Sequence, residues 1–271
     1  MDLDGSAPAR AARRWERALV TGASSGIGAE LASQLAAAGT DLVLVARDVD
    51  RLERMSSELE DRCGVEVEVL PADLSSPVSR SAVEKRLGAD GSPVDLLVNN
   101  AGFGTNGRFA DLPVAREEQQ VQLNVLAVLR LCSAALPQML SQGRGTILNV
   151  ASIAGLYPSP GSATYAATKA FVCSFSDALH EELRDTPVTV TASLPGLTRT
   201  EFHDRSGSTT SAPERAWLPA DLVARQSLDA AAAGKARVVP GALYKAMNGA
   251  VAPVPPGPRR WMVGRLTKLL R

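Results

Sequence analysis

Ala18-Leu19-Val20-Thr21-Gly22-Ala23-Ser24-Ser25-Gly26-Ile27-Gly28 is the stretch on which the fold turns. A short apolar run gives way at Thr21 to a glycine-rich turn. A helical pattern opens directly behind it, with Ile27, Leu31, Leu35 and Ala38 on one face and Gly39 as its stop. Strand, glycine turn and helix in this order let a backbone approach an anion closely. Glycine leaves the room, and the helix N-terminus contributes unpaired N–H groups and partial positive charge. A glycine turn alone says little; in this context it is a cradle for a pyrophosphate.

The same alternation continues outward. Asp41-Leu-Val-Leu-Val-Ala46 is an unbroken apolar strand, hence buried on both faces. Leu52, Met55 and Leu59 mark a second helix. Val65-Glu-Val-Glu-Val-Leu70 alternates strictly, which suits an edge strand with one wet face. In a Rossmann-type strand order, 3-2-1-4-5-6, the third strand is such an edge. Asp95 to Val98 is the fourth strand, followed by a long helix with Val121, Val125, Val128, Cys132 and Leu136 near one face. Thr146 to Val150 is the fifth. The helix carrying Tyr165 and Lys169 runs on through Phe171, Phe175, Leu179 and Leu183 to a sixth strand, Val188 to Leu194, and Arg237 to Pro240 is a candidate seventh. The pattern predicts an α/β fold: a single Rossmann-type doubly wound parallel sheet of about seven strands with helices on both faces.

The 271 residues are 45% apolar and 21% charged, with a formal charge of +0. That is an ordinary globular composition, and it argues against nucleic-acid binding through a broad basic surface. Cys63, Cys132 and Cys173 are scattered and read as reduced thiols, and no metal site is expected. The two histidines, His180 and His203, have no partner spacing for a triad or a metal. His180 is expected on a solvated helix face, and His203 in a Ser/Thr-rich stretch from Leu197 to Ala216. No apolar run reaches the roughly 18–20 residues that span a bilayer. The acidic N-terminus lacks the apolar core of a signal peptide, so a cytoplasmic location is expected.

Residues 1–16 are expected to be a flexible tail, with Arg13, Arg14 and Arg17 a solvated basic cluster at its end. Residues 17–240 form one dinucleotide-binding and catalytic domain, and residues 241–271 a C-terminal extension. The extension has a break at Pro253-Val-Pro-Pro-Gly-Pro258 and then a short basic amphipathic helix. Trp261, Met262, Leu266, Leu269 and Leu270 lie on one side, among Arg259, Arg260, Arg265, Lys268 and Arg271. Two readings stay open: contact with an anionic membrane surface, or docking on its own domain or a partner subunit.

Tyr165 and Lys169 are four apart at a helix start and share one face. Ser152 stands thirteen residues before Tyr165, at the end of the fifth strand. Converging on one point, the three can move a proton to or from a carbonyl or alcohol oxygen. The second strand ends in Ala46-Arg47. An acid there would bind ribose hydroxyls, as in NAD-selective folds and many adenosylmethionine enzymes. An arginine pairs instead with a 2′-phosphate. NADP(H) preferred over NAD(H) is therefore the expectation.

From about Arg17 to Pro240 the chain resembles the short-chain dehydrogenase/reductase family. The residues that carry the resemblance are Thr21-Gly-x3-Gly-x-Gly28, Asp73-Leu74, Asn99-Asn-Ala-Gly102, Asn124, Ser152, Tyr165-x3-Lys169, and Pro195-Gly196 with Thr198 and Thr200. The resemblance implies hydride transfer between a nicotinamide and a carbonyl or secondary alcohol. Tyr165 would be the acid/base, and Ser152 the donor to the substrate oxygen. Lys169 would bond the nicotinamide ribose, with Asn124 supporting it through water. Gly22, Ser24, Ser25, Gly26, Ile27 and Gly28 would surround the pyrophosphate, and Asp73 and Leu74 the adenine. Asn100, Ala101 and Gly102 would line the cofactor channel, and Pro195, Gly196, Thr198 and Thr200 would hold the carboxamide. An unperturbed phenol titrates near 10, roughly 4 kcal/mol from neutrality. Lys169 and the nicotinamide charge are expected to lower it.

A finer resemblance, to bacterial reductases allied to ketoacyl and hydroxysteroid oxidoreductases, rests on Ala46-Arg47-Asp48, Tyr165 to Phe171 and Gly234 to Gly241. Phe103, Leu156, Tyr157 and Phe202 are expected in the substrate pocket, which favours a small-molecule carbonyl or alcohol with a hydrophobic body. The family's pairing through two long helices, here around Val121 to Leu140 and Tyr165 to Leu183, implies a homodimer or homotetramer. The alternative is a catalytically silent dinucleotide-sensing or interaction protein on the same fold, a kind that typically lacks the tyrosine or lysine.

Overall fold

The structure, a computed structural model, describes residues 14–202, 206, 212–255, 257–258, 262 and 265. Seven strands form one sheet: β1 (Arg17–Thr21), β2 (Asp41–Ala46), β3 (Val67–Pro71), β4 (Leu96–Asn99), β5 (Gly145–Val150), β6 (Val188–Ser193) and β7 (Arg237–Val238). All pairings are parallel, in the order β3-β2-β1-β4-β5-β6-β7. β3 is the expected edge.

Successive strand residues face opposite layers. Leu19, Val43, Val45, Leu97 and Ile147 join one core, while Val20, Leu42, Leu44, Leu96 and Leu148 join the other. This is why β2 is apolar from Leu42 to Ala46. Full burial contributes roughly 1.5–3 kcal/mol per large aliphatic side chain. α1 (Gly26–Ala37) and α2 (Val49–Cys63) cover the second core, with α7 (Ala220–Ala232) beside them. α3 (Pro77–Leu87), α5 (Val128–Ser141) and α6 (Ala163–Glu182) cover the first. α2 starts at Asp48, which accepts the Arg51 N–H, and stops at Gly64 in the left-handed conformation.

α4 (Val114–Val121) runs through a π-helical turn, Gln122–Ala127, into α5. The rod Val114–Ser141 has 28 residues and a stretch of mean hydropathy 1.5. By length and composition it is long enough to cross a membrane, counter to the sequence expectation. Its apolar side has a use within the fold, since Val128, Leu131, Cys132, Ala135 and Met139 are buried against the sheet.

The domain starts earlier than its first strand. Trp15, assigned to the tail from sequence, is 7% exposed. Its indole N–H donates to Thr146 Oγ1 at 3.1 Å. Arg14 pairs with Asp229 at 3.7 Å and Arg17 with Glu66 at 2.6 Å, so these arginines have acidic partners instead of forming a purely solvated cluster. Arg13 lies outside the described residues. So do His203 and most of the basic C-terminal helix, Met262 and Arg265 excepted.

Candidate active site

One cavity of about 1670 Å³ opens at the C-terminal ends of the strands, where ligands of open α/β sheets bind. It is larger than the roughly 300–1,000 Å³ of a single small-ligand pocket. Gly22, Ser24, Ser25, Gly26, Ile27, Arg47, Asp73, Leu74, Asn100, Ala101 and Gly102 line one part. Ser152, Tyr165, Lys169, Pro195, Gly196, Thr198 and Thr200 line it as well. Gly28 and Asn124 do not; they sit behind the wall.

The cradle shows why its residues must be small. A Cβ on Gly28 would overlap the Gly22 carbonyl oxygen and Asn100 Nδ2. Asn100 is held there because its amide donates to the Thr21 carbonyl at 2.9 Å. The Thr21 hydroxyl donates to Val98 O (3.2 Å) and accepts the N–H groups of Asn100 (2.9 Å) and Ala101 (3.0 Å). β1 and β4 are thus stitched at the turn, and the first N–H groups of α1, which no helix partner can take, stand at the cavity.

At the end of β2, Ala46 is buried and Arg47 exposed. Asp48 also lines the cavity, but its carboxylate is engaged by the Arg51 N–H (3.1 Å) and guanidinium (3.4 Å). Asp73 accepts the N–H and hydroxyl of Ser75, at 3.0 and 2.7 Å, so one carboxylate oxygen braces its own turn.

Ser152 ends the segment after β5, and its hydroxyl caps the turn Ile153–Gly155 by accepting the Ala154 N–H at 3.1 Å. Ser152 faces the Tyr165 phenol and favours its ionised form. Lys169 is buried; its Nζ donates to Val150 O at 2.7 Å and lies 5.9 Å from the Tyr165 ring centroid. Burial lowers Lys169 to about 8. Burial also pushes Tyr165 up to about 12, against the opposing effect of Ser152. Of the chain's own groups Ser152 pulls the phenol down, and desolvation outweighs it. Asn124 is 1% exposed in the π-helical turn. It brackets the main chain of Phe103, donating to its carbonyl (2.9 Å) and accepting its N–H (3.2 Å), and it donates to Thr168 Oγ1 at 3.1 Å. A π-turn at such a place is a frequent mark of a functional site.

Three of the expected substrate residues, Phe103, Tyr157 and Phe202, line the cavity, with Phe202 at 5.6 Å from the Tyr165 ring. Leu156 does not; it packs on the first core. His180 is partly buried with Nδ1 at 2.8 Å from Val190 O, not on a solvated face. Sequence reasoning missed Leu243, Tyr244, Met247, Asn248 and Val251 of α8 (Ala242–Val251), all in the cavity wall. No motif marks them.

A Rossmann-type sheet whose strand ends gather a glycine-rich turn and Ser152, Tyr165 and Lys169 around one cavity defines the class of protein. The chain belongs to the short-chain dehydrogenase family, whose profile, described as short chain dehydrogenase, matches residues 16–211. The family is one of NAD(P)-dependent oxidoreductases acting on carbonyl and alcohol groups. The very-long-chain 3-oxoacyl-CoA reductase of Homo sapiens is 35% identical over 191 residues, 69% of this chain and 61% of that protein. The chain thus spans about three fifths of that relative. A solved short-chain dehydrogenase from Sphingobium yanoikuyae in complex with NADPH is 37% identical, with a TM-score of 0.80 over 89% of this chain and 97% of that one. A bulky-bulky ketone specific alcohol dehydrogenase from Comamonas testosteroni is 33% identical, with a TM-score of 0.75 over 89% of this chain and 96% of that one.

Proposed function

We propose that this chain is an NADP(H)-dependent oxidoreductase moving hydride between nicotinamide and the carbonyl or secondary-alcohol carbon of a bulky, largely apolar substrate. One observation carries the reading: Ser152, Tyr165 and Lys169 open into the same cavity as the glycine cradle. The cradle fits a dinucleotide, with no side chains at Gly22 and Gly26 and the α1 N-terminus beside them. Arg47 would pair with a 2′-phosphate, and Asp48 is already engaged by Arg51. The NADPH bound to the Sphingobium enzyme supports this preference. Thr198 and Thr200, after the Pro195-Gly196 turn, would hold the carboxamide.

A nicotinamide held there by Thr198, Thr200 and Lys169 would supply or accept the hydride. The chain's own groups handle the proton. Tyr165, protonated at neutral pH like any phenol and held more firmly so by burial, passes its proton to the substrate oxygen in the reducing direction. Ser152 donates to the same oxygen as charge develops on it. Lys169 carries positive charge below about pH 8, and that charge favours the phenolate left behind. Asn124 acts through the Phe103 main chain, which it holds beside the site.

Assembly as a dimer or tetramer through α4, α5 and α6 is part of this reading. Val121 and Leu140, 38% and 43% exposed on the long rod, support it. Met262 and Arg265 in the cavity wall favour docking of the C-terminal segment on its own domain over membrane contact. A panel of apolar and polar ketones, read by NADPH and NADH absorbance, tests the assignment. Cofactor binding without oxidation by any carbonyl would sink it and favour the silent dinucleotide-sensing alternative.

A further inference from the structure

α8 lies beyond the residues matched by the family profile, yet two of its side chains reach both walls of the cavity's substrate end. Tyr244 is 5% exposed and packs with Leu218 and Val223 in a small core of its own. Its ring occupies the space that a Cβ on Gly196 would need, so the glycine of the Pro195-Gly196 turn is there to receive it. The Tyr244 hydroxyl accepts the Leu197 N–H at 3.1 Å and donates to the Ala216 carbonyl at 2.8 Å. Leu197 and Ala216 bound the segment that carries Thr198, Thr200 and Phe202. Its base is closed further by Leu218 N–H to Leu197 O (2.8 Å) and Arg199 N–H to Leu218 O (2.9 Å). One turn along α8, Asn248 Oδ1 accepts the Tyr157 hydroxyl at 2.7 Å. Tyr157 stands in the loop that joins Ser152 to Tyr165.

We propose that Tyr244 and Asn248 are positioning residues, and that α8 clamps the two loops on either side of the hydride-transfer point. Tyr244 sets the Pro195–Thr200 turn, and Asn248 sets the Ser152–Tyr165 loop. The inference rests on the reading that this turn faces nicotinamide. A hydroxyl bonded on both sides to backbone is specific in a way that apolar packing is not, because removing it leaves one N–H and one C=O without their partner.

Tyr244→Phe keeps the ring on Gly196 and removes both bonds. Three readouts separate a clamp from general stability: amide exchange, affinity for NADPH, and affinity for 2′-phospho-ADP-ribose, which lacks nicotinamide. We expect exchange at Leu197 to quicken by about tenfold while sheet amides stay as they were. NADPH binding should weaken by about fivefold to tenfold, with 2′-phospho-ADP-ribose binding unchanged. Asn248→Ala, on the rim, should quicken exchange across residues 153–162 and leave Leu197 alone. Unchanged exchange at Leu197 in Tyr244→Phe overturns the clamp. So does equal weakening of both ligands, which marks a general loss of fold. Quickened exchange with both affinities unchanged overturns the positioning role by removing nicotinamide from that turn, whereas Proposed function fails separately if the wild-type chain binds neither nucleotide.

Discussion

At the cofactor end of the cavity the walls are the C-terminal ends of β1, β2 and β4, whereas the substrate end is closed by segments that belong to no strand. Gly22 to Gly28 and Asn100 hold their places because sheet register aligns β1 with β4 and the Thr21 hydroxyl ties their ends. The loop after Ser152, the segment after Pro195 and α8 hold theirs by side chains bonded across long sequence distances. Main-chain geometry governs the first end and a few hydroxyls govern the second. Changes to the main-chain turns of the cofactor end should therefore be all-or-none, and changes to single side chains at either end graded.

The sharpest test of this contrast is at the point where the two ends meet. Tyr165→Phe should lower turnover by about 10²–10⁴-fold while the affinity for NADPH, measured by its fluorescence, stays near wild type. Appreciable residual activity would remove Tyr165 as the proton donor.

Gly28→Ala comes next, since its methyl meets a carbonyl oxygen and an amide fixed by the sheet. Cofactor binding should be lost and the melting temperature should fall by several degrees, for an overpacking cost of about 1–3 kcal/mol. A variant that binds NADPH normally would show that the sheet yields here.

Arg47→Ala should reduce the NADP/NAD ratio of kcat/KM by about tenfold to a hundredfold, as for a lost charge-assisted bond worth about 1.5–3 kcal/mol. An unchanged ratio takes Arg47 out of the cofactor site.

Lys169→Met sharpens the comparison through pH. Burial holds Lys169 at about 8 in the folded chain, below its ordinary 10.5. Between those values the unfolded chain binds more protons, so its contribution makes stability rise with pH across that window and fall away below it. Tyr165, raised to about 12, contributes in the opposite sense only above its ordinary 10. Denaturant unfolding of wild type should therefore gain on the order of 1–2 kcal/mol from this group between pH 8 and 10, and the variant should lack that gain. Equal slopes would mean that Lys169 is not desolvated.

The smallest effect belongs to α8. A Cβ on Gly249 meets nothing within 4 Å, so Gly249→Ala should leave kinetics alone and stabilise by about 0.5–1 kcal/mol. Altered substrate KM would show that this face of α8 touches more than the described residues.

The first end was legible in the residues because each of its features is local. An unbroken apolar run forces a strand buried on both faces, and a glycine is required wherever backbone packs on backbone. β3 as an edge follows from its alternation, the glycine turn from its place between strand and helix, and the Tyr165–Lys169 pair from an i, i+4 spacing. The misreadings came where local pattern allows two outcomes. Leu156 is one residue from Tyr157, and only the three-residue turn after Ser152 decides which of them faces the cavity. Trp15 sits in a run without periodicity, and its burial depends on Thr146, far along the chain. His180 looks solvent-facing until β6 brings the Val190 carbonyl beside it. In the rod Val114–Ser141 it is α5 whose apolar side covers the sheet.

The sequence by itself determined the parallel sheet, the glycine-rich turn between β1 and α1, and the placing of Lys169 one helical turn from Tyr165, since period, glycine spacing and an i, i+4 pair are properties of a few adjacent residues. Only the tertiary structure decided that burial raises the Tyr165 phenol and lowers Lys169, and that Tyr244 and Asn248 close the substrate end. Desolvation and hydrogen bonding depend on what the rest of the chain packs around a group, and no window of sequence contains that.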